Sequence, residues 1–139
     1  MCALQDWATS SGVQLAEFAL YDTNGLYLAG GTTSNPEGAS TSRDGHANAY
    51  NSPLEGGAAK WMDFNFGDLI ITFAEPVTMQ TYDWMAADDA PQRDPVKWTL
   101  EGSNSDGMVW AVVDGTYSLD AFVPAEVSSW LAAAIWIIP

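Results

Sequence analysis

Hydrophobic and polar residues alternate in short runs along this chain, and no stretch sustains the period of an amphipathic helix between capping residues. In VKWTLEGS, Val96, Trp98 and Leu100 fall on one side and Lys97, Thr99 and Glu101 on the other. That is the period of a half-buried strand. DLIITFAEPVTMQTYDWMAA places Leu69, Ile71 and Phe73 on one face and predicts two strands broken at Glu75-Pro76. The early segment VQLAEFALYDTNG alternates in part, with Val13, Leu15 and Glu17 opposite Gln14, Ala16, Phe18 and Leu20. AEFALY also fits a helical turn, but Val13, Phe18 and Tyr21 favour a strand, and Asn24-Gly25 favours a tight turn after it. KWMDFNF, MVWAVVD, TYSLDAF and SSWLAAAIWII complete a set of short strands separated by turn residues. Such a set predicts an all-β sandwich or barrel.

Between Gly30 and Ala59 the pattern lapses into Gly, Ser, Thr, Asn and Pro, with few large apolar residues. A loop of that length inside a compact domain points to function or to a lid of irregular structure. It is not a linker, because no second core's worth of chain precedes it. The 139 residues fit a single domain over 13–139, preceded by an N-terminal segment 1–12.

Charge narrows the function classes. The chain has 18 acidic and 4 basic residues, a formal net charge of -14. That field repels nucleic acid and anionic membrane surfaces. It suits an extracellular or lumenal setting, a bound cation or a basic partner, and solubility alone also accounts for it. The compartment is not readable from the single Cys2, which has no intrachain disulfide partner, and a lone His46 excludes zinc sites built from several Cys and His. The N-terminus has neither a basic nor an apolar signal region and is read as carrying no signal peptide. WLAAAIWIIP is too short for a membrane span, which takes roughly 20 residues, and reads as a final buried strand.

Two segments hold candidate chemistry. In AADDAPQRDP, Asp88 and Asp89 are adjacent, so on a strand they face opposite ways and do not converge as a glycosidase pair does. A polar corner accounts for them better, with Arg93 paired bidentately to a carboxylate and Asp94 accepting backbone N–H groups before Pro95. In SRDGHANAYN, Asp44 and Asn48, with nearby carbonyls, offer the oxygen ligands that Ca²⁺ prefers. The competing reading is a surface loop in which Asp44 bonds its own backbone. His46 and Tyr50 in the same loop suit sugar contact, one by hydrogen bonding and one by a stacking face. Trp61, Trp84, Trp98 and Trp110 lie in strand patterns and are expected in the core, whereas Trp7 and Trp130 are better placed for exposed contacts. Glu17, if buried, needs a partner, and Lys60, Arg43 and Arg93 are the cations at hand.

The order WMDFNF, then YDWMAADDAPQRDPVKWTLEGSNSDGMVW, resembles the discoidin group, also called coagulation factor 5/8 type C domains. The likeness rests on Tyr82 and Trp84, Ala87-Asp88, Arg93-Asp94-Pro95, Trp98 to Ser103, the Asn104 to Gly107 turn and Trp110, with Asp44-Gly45-His46 upstream of Lys60-Trp61. It runs from about Val13 to Asp114. Two departures stand out: Ser105 is inserted in the turn, and AYNSPLEGGAA lengthens the gap before Trp61. The resemblance implies a single discoidin-like jelly-roll β-sandwich of the galactose-binding type. Such domains are usually non-enzymatic, bind carbohydrate, phospholipid headgroups or proteins through loops at one end, and often hold a structural calcium. The resulting expectation is a carbohydrate- or glycan-binding module that uses Asp44, His46, Asn48, Tyr50, Asp88, Asp89 and Arg93, with calcium at Asp44 and Asn48. The alternative is an accessory or adhesion subunit making protein–protein contacts in a larger complex. An enzyme ranks last, because no set of nucleophile, base and oxyanion donor can be assembled.

Overall fold

The computed structural model describes residues 11–52, 59–95, 98–104, 109 and 111–112, and the backbone of 113–114 and 128–137. The readings made above for Trp7, Val96, Lys97, Trp110, most of the turn after Asn104 and the TYSLDAF strand lie outside these residues, as does the side chain of Trp130.

The structure is mostly β, and its described residues contain no α-helix. The strands are β1 (Val13–Leu15), β2 (Glu17–Tyr21), β3 (Thr32–Ser34), β4 (Trp61–Asp63), β5 (Leu69–Met79), β6 (Thr81–Met85), β7 (Trp98–Ser103), β8 (Ala111–Asp114) and β9 (Ser128–Ile137). All pairings are antiparallel: β1 with β4, β2 with β6, and a five-stranded sheet in the order β3-β5-β9-β7-β8. The apolar C-terminal run thus becomes a central strand, hydrogen-bonded on both edges. No described helix is long and apolar enough to cross a membrane.

The period-two pattern is realised where one face is covered. Leu69, Ile71 and Phe73 are buried along β5, and Trp98 and Leu100 along β7. It fails in the first segment, where every residue from Val13 to Leu20 is buried, Gln14 and Glu17 included. That segment is also two strands, not one. Ala16 leaves the ladder and its N–H donates to the Met85 carbonyl at 2.9 Å, so β1 and β2 pair with different partners. The break expected at Glu75-Pro76 is instead a register shift within β5, between Thr72 and Val77. Proline removes a ladder donor there, and the strand bulges and resumes. The chain leaves β5 for β6 at Gln80, whose N–H reaches the Tyr21 carbonyl at 2.8 Å.

The segment from Gly30 to Ala59 is less irregular than its composition predicts. Thr32 to Ser34 pair with Ile70 to Thr72 on the sheet edge, and His46–Tyr50 form a 3-10 turn. Tyr50 plugs this loop into the core. It is buried against Tyr27 and Phe73, with ring centroids 5.3 and 6.1 Å away, and its hydroxyl donates to the Leu28 carbonyl. Gly31 lacks a side chain because a Cβ there would lie 2.7 Å from Ile71 Cγ2 and 2.8 Å from Tyr50 Cε1.

Residues from β1, β2, β4 to β7 and the 3-10 turn share one hydrophobic cluster. Trp61 and Trp98 are buried in it as expected, and Trp84 packs edge-on against Trp98 at 5.6 Å. Two carboxylates are buried beside this cluster. Asp63 accepts hydrogen bonds from the N–H groups of Ala39 (2.6 Å), Asn65 (3.1 Å) and Gly67 (2.5 Å) and from the Asn35 amide (3.3 Å). Burial alone would raise its pKa, but these donors outweigh it and hold the carboxyl below the usual range. Glu17 finds no cation among the described residues. Its Oε1 accepts from the Asn51 N–H at 3.0 Å, Ser52 adds further hydrogen bonds, and burial still raises its pKa. This corrects the expectation of a Lys or Arg partner.

Candidate functional site

Two loops meet beside the β1–β4 pair. One is the run from Thr41 to Asn48 that leads towards β4; the other is the corner from Ala86 to Pro95 between β6 and β7. Between them lies a cleft of about 310 Å³. Arg43 and Asp44 line it from the first loop, Asp88, Asp89 and Arg93 from the second, and Lys60 and Met62 from the start of β4. Three of the chain's four basic residues are therefore gathered here, opposite three carboxylates. A second hollow, apolar and bounded by Leu15, Phe18, Trp84, Pro95 and Trp98, has only about 10 Å³ and takes at most a water molecule.

Each wall has a physical cause. Asp44 is fixed by its backbone: its carbonyl accepts from the Met62 N–H at 2.9 Å, while its carboxylate takes the Thr41 hydroxyl at 2.9 Å. Asn48 donates its amide to the carbonyls of both Arg43 and Lys60, each at 2.8 Å, and so closes the loop onto β4. On the other wall, Ala90 adopts a left-handed conformation (φ 44°) and Pro91 begins a 3-10 turn through Arg93. A non-glycine residue at positive φ is disfavoured and needs outside support. Gln14 provides it. This fully buried amide donates to the Asp89 carbonyl and to the Ala90 carbonyl at 3.1 Å, with a longer contact to the Asp94 carboxylate at 3.4 Å. Its oxygen accepts from the Lys60 ammonium at 3.0 Å, and Lys60 also pairs with the Asp89 carboxylate.

The corner is thus tied by Lys60, which corrects the expectation that Arg93 pairs with a carboxylate. Gln14 draws the carbonyls of Asp89 and Ala90 towards β1, which leaves the Asp89 carboxylate over the Lys60 ammonium. Arg93 turns instead to the Ser11 hydroxyl at 3.2 Å, with Nη1 3.6 Å from Met62 Sδ. Its Nε is buried with no hydrogen-bond partner among the described residues. The hydrogen bond from Lys60, followed by its charge, lowers the Asp89 pKa, while burial raises that of Asp94.

Four of the expected site residues come together in this cleft: Asp44, Asp88, Asp89 and Arg93. Three do not line it. Tyr50 has its ring covered in the core, which corrects its reading as a sugar-stacking face. His46 lies outside, with Nδ1 2.9 Å from the Thr33 hydroxyl. Asn48 spends its amide nitrogen on loop closure. That also bears on calcium, which takes six to eight oxygens. Here an amide donor already fills the space between the Arg43 and Lys60 carbonyls, and no three His, Cys, Asp or Glu side chains converge among the described residues.

No protein-family model matches the chain. Over 33 residues it is 58% identical to the Peptide-N(4)-(N-acetyl-beta-glucosaminyl)asparagine amidase of Arabidopsis thaliana. That stretch is 24% of this chain and 5% of the Arabidopsis protein, so the likeness covers a small part of that protein's length.

Sequence reading missed Arg43, Lys60 and Met62 as lining residues and Gln14 as their organiser. A usable signal existed for two of them. In a chain with four basic residues, Arg43 stands next to Asp44 and Lys60 next to Trp61. Gln14 gave none, because its place on a strand face with Ala16, Phe18 and Leu20 does not say which distant carbonyls its amide will meet.

Proposed function

We propose that this chain is a non-catalytic glycan-binding module of discoidin-like sandwich type, with the cleft between the Asp44 loop and the Asp88–Arg93 corner as its binding site. The observation that carries this reading is the convergence of fixed hydrogen-bonding groups from two separate loops around one cleft of sugar size. Carboxylates accept from sugar hydroxyls, guanidinium groups donate to them, and the Met62 thioether offers an apolar contact for a C–H face. Partial similarity to a protein named for action on an N-acetylglucosaminyl-asparagine linkage supports a glycan-related role.

Binding without turnover accords with the chemistry of the lining. Among the described residues no Ser, Thr or Cys nucleophile lines the cleft. A glycosidase needs one carboxyl with a raised pKa, whereas Lys60 moves Asp89 the other way.

A glycan array followed by calorimetry tests the proposal. Asp88 is exposed and bonds to no described residue, so Asp88→Ala should fold normally and weaken binding by about tenfold, the loss of one charge-assisted hydrogen bond. Absence of any glycan binding, with the protein recovered in a stable protein complex, would favour the accessory-subunit reading.

A further inference from the structure

We infer that the ligand of this cleft is an acidic sugar, one bearing a carboxylate such as a uronic or sialic acid, held by Arg43 and Arg93. The inference deepens the glycan-binding proposal and rests on it.

The argument starts from charge distribution. The chain carries 18 acidic and 4 basic residues, and among the described residues three of those basic residues line the cleft beside three carboxylates. An anion approaching elsewhere meets a repulsive surface, and the cleft is where that repulsion is locally cancelled. Within it, the three cations are not equivalent. Lys60 is already committed to Asp89 and Gln14. Neither Arg43 nor Arg93 makes a contact ion pair among the described residues; the Arg93 charge acts on Asp89 only from a distance, and its Nε is buried and unpartnered. A half-buried guanidinium with no carboxylate in hydrogen-bond contact is a costly arrangement. A ligand carboxylate taken in fork geometry by the exposed Arg43, with the outer nitrogens of Arg93 beside it, would supply that contact.

The remaining lining says why the anion should be a sugar acid and not a free ion. Asp44 and Asp88 are acceptors that repel a bare anion but welcome hydroxyl donors. One carboxylate ringed by hydroxyl groups complements both halves of this lining. A neutral sugar would leave the arginines unanswered, and acetate or sulfate would leave the aspartates unanswered.

The test uses calorimetry on the full chain with oligosaccharides ending in glucuronic, galacturonic or sialic acid, the same sugars after reduction of the carboxyl to an alcohol, and sodium acetate and sulfate. The acids should bind at least about tenfold tighter than their reduced forms, an advantage that salt weakens. Arg43→Gln, at an exposed position, should abolish that advantage without altering the melting temperature. Equal binding of acid and reduced sugars overturns this inference and leaves the glycan-binding proposal standing. Acetate or sulfate binding as tightly as the sugar acids overturns it in favour of a simple anion site. If no sugar of either kind binds, both proposals fall.

Discussion

The buried side-chain oxygen of Gln14 accepts a hydrogen bond from the Lys60 ammonium at 3.0 Å. This contact joins β1 to the start of β4, and the other end of the same amide holds the carbonyls of the Asp88–Arg93 corner. A single uncharged residue therefore keeps two loops in register. Gln14→Leu, close in volume, would leave Lys60 short of an acceptor and the Asp89 and Ala90 carbonyls short of a donor. The expected cost is about 2–4 kcal/mol. Urea denaturation measures it, and a loss under about 0.5 kcal/mol would show that Gln14 does not organise the corner.

Asp63 presents the opposite chemistry, a buried carboxylate satisfied by four donors. Asp63→Asn turns an amide N–H₂ towards some of those donors and should cost about 2–3 kcal/mol at neutral pH. Because the folded pKa is depressed, the carboxylate's contribution is complete above the unfolded value of about 3.9 and is lost as pH falls through the lower folded value. Melting curves of both proteins from pH 7 to 2 should converge at the acid end. A gap that stays constant would remove Asp63 as the source.

Glu17 should behave in the reverse sense. Burial raises its pKa, so the folded state holds its proton more tightly than the unfolded chain does. Its contribution is fully present below the ordinary glutamate value of about 4.3 and is lost as pH rises through the raised folded value. Glu17→Gln keeps an acceptor for the Asn51 N–H and removes the desolvated charge. The variant is expected to be at least as stable as wild type at pH 7, with the two alike near pH 4. A clear destabilisation at pH 7 would mean that the charge itself is needed.

Lys60→Met separates the ion pair from the rest of the corner. The Asp89 pKa, held down first by the Lys60 hydrogen bond, should rise towards its ordinary value when the ammonium is removed. An NMR titration of the Asp89 carboxyl reads this directly. An unchanged pKa would assign the shift to another group.

Much of the fold was legible in local pattern. Leu69, Ile71 and Phe73 alternate because one face of β5 meets the core, and the same holds for Trp98 and Leu100 on β7. Pattern misled wherever both faces are covered. Gln14 and Glu17 fall on opposite faces by alternation, yet both are buried beside loops that are distant in sequence. The same limit applied to Tyr50. Its polar surroundings suggested an exposed ring, whereas the Gly31 gap and the rings of Tyr27 and Phe73 draw it inward.

The sequence by itself determined the β-rich character, the turn at Asp22 to Gly25, the strong acidity and the scarcity of cations. These follow from composition and from spacing between near neighbours. Tertiary structure alone decided which charges meet. Lys60 pairs with Asp89 across 29 positions, and Gln14 reaches the Ala90 carbonyl across 76. Such contacts depend on how strands pair and where Ala90 bends the chain. A periodic pattern specifies the face a residue presents, but not the distant loop that comes to cover it.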